Sequence, residues 1–217
     1  MVKNYEPIAL SPSQKLGGNM FIYYSMRMNR IIEVIGILRY IDFLKLEMDN
    51  TVSSFCERPL KLPIIQDGRR SSILMDTFVE YKDGVQEIRQ INEYMSASTC
   101  VHLQRWCDDN AVKFTPVSNE RLRREPKYFE NQQSLYGCLT RTHINNEKPL
   151  LNLLKSYLSC KGGQATVGEI EQEDLFCSYR AMEVIALAYS YGEVSIVNMN
   201  TRTIDNNTGV SLCQPNQ

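Results

Sequence analysis

The chain has 217 residues, 43% hydrophobic and 23% charged, with a formal net charge of -1 and a pI of about 6.2. That is enough apolar material for a packed core, so extensive disorder is excluded, and the length suits one large domain or two small ones. The near-neutral balance excludes a global field that would draw in nucleic acid and leaves local basic patches as the electrostatic route to it.

In chain order, residues 1–18 carry Pro7, Pro12 and the pair Gly17-Gly18 and read as a flexible arm, the kind of segment that pairs with a partner. "NMFIYYSMRMNRIIEV" follows as strand, turn around Met28 and Asn29, and strand. "ILRYIDFLKLEMDN" sets Ile37, Ile41, Leu44 and Met48 on one helical face, with Asn50 as the stop. "SSFCERPLKLPII" is extended, since Pro59 and Pro63 exclude a helix. Ser72 to Tyr81 and Val85 to Ile91 flank Lys82-Asp83-Gly84 and predict a β-hairpin. A helix with Met95, Cys100, Leu103 and Trp106 toward a core and a strand at "KFTPVS" complete a mixed α/β domain over 19–119.

Residues 120–148 are rich in charge and amide and read as a linker or helical connector, which puts a domain boundary near 148. Within it, Arg121, Arg123, Arg124 and Lys127 form a basic run that suits either phosphate contacts or a solvated connector. Over 149–217 the pattern gives "LLNLLKSYLSC" as a helix stopped by Gly162-Gly163, and "ATVGEIEQ" as a second helix with a Thr166/Glu169 capping box. "LFCSYRAMEVIALAYSYG" is a third, and a hairpin with an Asp-Asn-Asn tip follows it. Three helices and a hairpin are the order of a winged helix. The third helix has Arg180 as its one basic residue, too few cations for reading DNA, so this domain is expected to dock a protein.

Seven cysteines, odd in number and with no C-x-x-C pair, indicate reduced thiols in a cytoplasmic protein rather than disulfides or zinc. The amino terminus lacks the apolar run of a secretory leader, and no segment is apolar and long enough to span a membrane.

Several of these segments, taken together and in this order, resemble the TnsA endonuclease subunits of heteromeric, Tn7-like transposons. "RIIEVIGILRYIDFLKLEMD" (Arg30 to Asp49) follows the spacing of the family's R-x-x-x-x-E-S-x-L-E-x-D opening, and "FCERPLKLP" matches its F-x-E-Q-P-L-x-I strand. "MDTFVEYKDG" lies at the P-D-F-L-V-x-Y-x-D-G hairpin, and "RREPKYFEN" at the R-x-E-P-x-x-x-N connector. The resemblance implies a restriction-endonuclease-like mixed sheet with flanking helices and a carboxy-terminal winged-helix-like domain. It further implies action on DNA at transposon ends, with an integrase-type transposase and an AAA+ ATPase as partners.

Such nucleases hold Mg²⁺ between an aspartate and a second acidic or amide ligand, with a lysine beside the attacking water. Taken alone, Asp76 reads as an ordinary strand residue; by the resemblance it is the central metal ligand, and Gln90 falls at the second ligand position. Asn92 stands at the lysine position and Arg39 at that of a helical glutamate, where a cation repels the metal. Glu33, Asp42 or the pair Glu87/Arg89 are the conceivable substitutes, and strand alternation allows only one of the sets 87/89 and 90/92 to face Asp76. The expectation is a TnsA-like subunit with reduced or lost catalysis and an assembly role. Two alternatives stay open, an active Mg²⁺-dependent endonuclease subunit and a stand-alone α/β binding module.

Overall fold

The computed structural model describes residues 5–66, 69–92, 95–118, 120, 125–141, 147–176 and 179–213, leaving out the side chains of residues 65, 66, 69 and 92. The chain divides into two units, Met1–Leu46 with Thr51–Arg124 and Glu47–Asn50 with Glu125–Gln217.

In the first unit, α1 (Pro12–Leu16) is capped by Ser11 and Gln14 in a reciprocal box. The segment before it, expected as a loose arm, makes defined contacts: the Tyr5 ring lies 4.6 Å from that of Phe78, and the Ile8 N–H donates to the Arg58 carbonyl at 3.0 Å. The strands β1 (Met20–Ser25) and β2 (Arg30–Ile35) pair antiparallel around a turn in which Asn29 takes φ 51°. α2 (Ile37–Met48) follows, and Phe21 stacks flat on its Tyr40 with ring centroids 4.5 Å apart. Leu44, Ile41 and Met48 are buried as expected, but Ile37, the first helical residue, is exposed.

β3 (Val52–Glu57) leads to the antiparallel ribbon of β4 (Lys61–Gln66) and β5 (Arg69–Leu74). The predicted long strand from Ser72 to Tyr81 is broken: Met75 and Asp76 lie outside any strand, and β6 (Thr77–Tyr81) begins after them. The break is where the chain changes partners, β5 pairing with β4 and β6 with β3. Across the expected turn, with Gly84 at φ 85°, β6 pairs with β7 (Gln86–Asn92). α3 (Ala97–Asp109) then carries the chain to β8 (Lys113–Ser118), which lies parallel to β7.

The result is a mixed sheet in the order β3-β6-β7-β8 with helices on its flanks. Val79 and Phe55 pack with Phe43 and Leu46 of α2, together with Ile32 and Val34 of β2. Phe78 and Ile88 pack with Leu103 and Cys107 of α3, while Met95 and Trp106 cover that cluster from its margin. Cys100, expected inside, is only half-buried. Strand alternation divides the sheet residues between these two cores.

In the second unit, helices span Pro126–Arg141, Glu147–Cys160, Val167–Gln172 and Ala181–Ser190. An antiparallel sheet of β9 (Gln164–Thr166), β10 (Val194–Ile196) and β11 (Gly209–Leu212) accompanies them, with β11 central. The glycine stop is present, the Gly163 N–H donating to Leu158 at 2.8 Å, as is the Thr166/Glu169 capping box. The third predicted helix starts late, at Ala181, because residues 173–176 form turns.

The unit boundary lies at 124/125 rather than near 148, since helix Pro126–Arg141 packs on Ala181–Ser190 within this unit. Its amide-rich composition concealed a structural role. Asn131, 1% exposed, donates through Nδ2 to the carbonyls of Met199 (2.9 Å) and Arg202 (2.6 Å) and accepts at Oδ1 from the Ile204 N–H (3.0 Å). One side chain thereby clamps the loop between β10 and β11. Asn131→Ala leaves three backbone groups to find other partners and is expected to destabilise the second unit by about 1–3 kcal/mol in chemical denaturation. Ser134→Ala, on an exposed position of the same helix, should change it little.

Candidate functional site

Where β5 ends and β6 begins, the chain turns inward. The Asp76 carbonyl accepts from the Arg58 N–H at 2.9 Å, and the Met75 N–H donates to the Leu60 carbonyl at 3.1 Å, so backbone on both sides of the break is held by the segment linking β3 to β4. This delivers the Asp76 side chain, in a residue only 8% exposed, into a cavity of about 330 Å³. Arg39, Glu57, Arg58 and Gln90 contribute its polar wall, while Leu10, Val34, Phe43 and Leu74 are among its apolar lining.

Both carboxylate oxygens of Asp76 are engaged. Oδ1 accepts from Arg39 Nε at 2.6 Å, and Oδ2 accepts from the Ile91 N–H at 2.8 Å. The Gln90 side chain comes to the same place, but its Oε1 accepts from the Asp76 N–H at 3.0 Å. The structure therefore brings together three of the sequence-derived residues, Asp76, Gln90 and Arg39. Asn92 is the last residue of β7, and its side chain lies outside the described residues. Burial raises the Asp76 pKa, against the opposing pull of the Arg39 charge and hydrogen bond and the Ile91 N–H; the Asp42 carboxylate adds to the rise.

The possible substitutes for a helical carboxylate are committed elsewhere. Asp42, 1% exposed, receives a two-point contact from Arg89: Nη2 to Oδ1 at 2.6 Å and Nε to Oδ2 at 3.1 Å. Burial would lower the Arg89 pKa, but the Asp42 hydrogen bond and charge outweigh it and the value is raised. Glu87, on the same face of β7, accepts from the Tyr81 hydroxyl and lies 3.7 Å from both Arg89 and Lys113. Glu87 and Arg89 thus build a buried ion network with α2. Removing one partner of such a network strands the other and costs about 3–5 kcal/mol, so these residues are structural first. Glu33 pairs with Lys15 at 3.0 Å.

Sequence reasoning missed two members of the wall. Glu57, 2% exposed, is gripped by both terminal nitrogens of Arg30, and Arg58 stands 3.7 Å from it. Arg58 adopts φ 47°, a conformation that side chains rarely take, and from there donates to the carbonyls of Ile8 (2.7 Å) and Glu33 (2.6 Å). Burial lowers its pKa, opposed by the charge of Glu57. Glu57 and Arg58 lie in a segment where Pro59 and Pro63 announce extended chain, and nothing in that pattern says the side chains turn back.

Divalent metal fits this arrangement poorly. Mg²⁺ asks for oxygen ligands in a near-octahedral shell, whereas here the Asp76 oxygens and the Gln90 oxygen already accept from protein donors, and a guanidinium lies against the carboxylate. Among the described residues, no group of three or more His, Cys, Asp or Glu is placed to hold a metal ion. Of the basic run, Arg121, Arg123 and Arg124 lie outside the described residues; Lys127 is half-buried and pairs with Glu130 at 2.6 Å. Among the described residues, no helix is long and apolar enough to cross a membrane. No protein-family model matches the chain, and no curated protein matches it.

A carboxyl group whose pKa is raised by folding takes up its proton more readily in the folded state. Stability from this group is then highest below its ordinary value of 3.8 and falls as pH rises toward the folded-state value. The stability of the wild type minus that of Asp76→Asn, which has no such titration, should decrease as pH is raised from 3.8 toward neutrality in parallel urea melts. A difference that grows with pH would mean that Arg39 outweighs burial.

Proposed function

We propose that the chain is a TnsA-like subunit of a Tn7-like transposition machinery in which the nuclease fold is kept and its metal centre has become an ion pair. It works at transposon DNA ends as an assembly factor, bridging an integrase-type transposase and an AAA+ ATPase. The first unit is restriction-endonuclease-like and the second winged-helix-like. The observation that carries this reading is the Arg39–Asp76 contact at 2.6 Å. It joins the position that the resemblance gives to the central metal ligand with the one it gives to a helical glutamate, and it sets a cation against the carboxylate.

The mixed sheet supports the fold part of the reading, since its order β3-β6-β7-β8 sets Gln90 of β7 beside Asp76, the residue just before β6. The second unit supports the docking part. Its helix Ala181–Ser190 is largely buried, with Ala181, Val184, Ile185, Ala186, Leu187 and Ala188 all inside, so little of it is left to enter a DNA groove. An active endonuclease would need Arg39 to leave Asp76 and a second ligand to replace the Gln90 oxygen. No observation favours that route.

In a transposition assay with transposase, ATPase and donor DNA, Asp76→Asn, which removes the carboxylate charge but keeps the side chain's shape, is expected to leave the product yield within about twofold of wild type, an effect small beside the hundredfold or greater losses that follow removal of a metal or oxyanion contact. Ile185→Asp, which places a charge in the core of the second unit, should abolish the yield. A collapse of metal-dependent nicking in Asp76→Asn would establish the active-nuclease reading instead, and a yield indifferent to deletion of the chain would remove it from transposition altogether.

A further inference from the structure

We infer that the outer face of the β1–β2 ribbon is a homodimer interface, packed face to face against the same ribbon of a second copy. The inference stands apart from the reading of Asp76, because it rests on different residues. Antiparallel pairs with one face on a core ordinarily turn polar side chains outward. This ribbon does the opposite. Its inner face is fixed by Phe21 on Tyr40 and by Ile32 and Val34 in the α2 core, so alternation forces Met20, Ile22, Tyr24 and Ile31 outward.

Those four are 39%, 57%, 49% and 63% exposed, and Met26 in the turn and Ile37 just past β2 extend the apolar strip at its two ends, 44% and 43% exposed. Six of the large hydrophobic residues that are exposed in the described chain therefore fall within residues 20–37. Scattered single residues of this kind are normal, but a contiguous strip is not.

Three properties select a second copy as the occupant. Charge is the first: on this face the registered pairs are Met20 with Ile35, Ile22 with Glu33 and Tyr24 with Ile31, and the single carboxylate, Glu33, is neutralised by Lys15 at 3.0 Å. A neutral face meets its own copy without repulsion and offers nucleic acid almost no cation. Shape is the second, since two short ribbons stack at the ordinary spacing of about 10 Å between sheets, and a twofold axis makes the same strip serve both sides. Area is the third: six side chains about half exposed present on the order of 600 Å² per copy, so a pair buries about 1,200 Å², the lower bound of a specific interface.

Sedimentation velocity of the full chain over a concentration series from about 1 to 100 μM, spanning ordinary dimer affinities, tests this. The wild type should shift from monomer to dimer within the series. The variant Ile22→Lys/Ile31→Glu should remain monomeric, with the dissociation constant raised at least tenfold and with thermal unfolding unchanged at concentrations where the wild type is itself monomeric. Val101→Lys, on an exposed apolar position of α3, should dimerise as the wild type does. A wild type that stays monomeric throughout, or a doubly substituted chain that still dimerises, overturns the inference. So does a monomeric wild type that associates with the purified integrase-type transposase through these same residues.

Discussion

The contact between Arg39 and Asp76 governs how the first unit is put together. A carboxylate that is only 8% exposed costs several kcal/mol to desolvate, and a guanidinium at 2.6 Å from one oxygen and a backbone N–H at 2.8 Å from the other offset part of that cost. For both to be in place, α2 must present Arg39 to the sheet and the strand must break at Met75–Asp76. The Gln90 amide must also satisfy the Asp76 N–H. Three elements far apart in sequence are thus tied at one point, and the cavity wall follows from that tie.

The same logic runs through the surroundings. Asp42 has Arg89, Glu57 has Arg30 with Arg58 beside it, and Glu33 has Lys15. Each acidic group near the cavity is matched by a cation from this chain, so the electrostatic work that a divalent ion would do in a nuclease is done by arginine and lysine. Arginine suits this role because its planar, permanently charged fork satisfies a carboxylate with two hydrogen bonds, as Arg89 does on Asp42. A site assembled this way supplies its own counter-charges.

Much of the first unit was legible in the sequence. Hydrophobic periodicity gave α2 and α3, the Asp-Gly pair gave the β6–β7 turn, and the resemblance to the TnsA family grouped Asp76, Gln90 and Arg39 before any geometry was known. What pattern could not supply was pairing at long range. The break between β5 and β6 depends on which partner each strand takes, and Ser71 to Tyr81 reads the same either way. Arg58 and Glu57 were hidden because proline signals describe backbone and say nothing of where the side chains turn. Asn131 was taken for connector because amides usually lie in water, and its buried clamp on the 199–204 segment explains it.

The most direct test of an ion pair in place of a metal centre is a crystal structure grown with excess Mn²⁺ and read by anomalous scattering. The account predicts Arg39 Nε within hydrogen-bond distance of Asp76 Oδ1 and no anomalous peak at that carboxylate. A Mn²⁺ ion bound to Asp76 with a second oxygen ligand, at the oxygen distances of about 2.0–2.3 Å typical of small divalent cations, and with the guanidinium swung away, would contradict it.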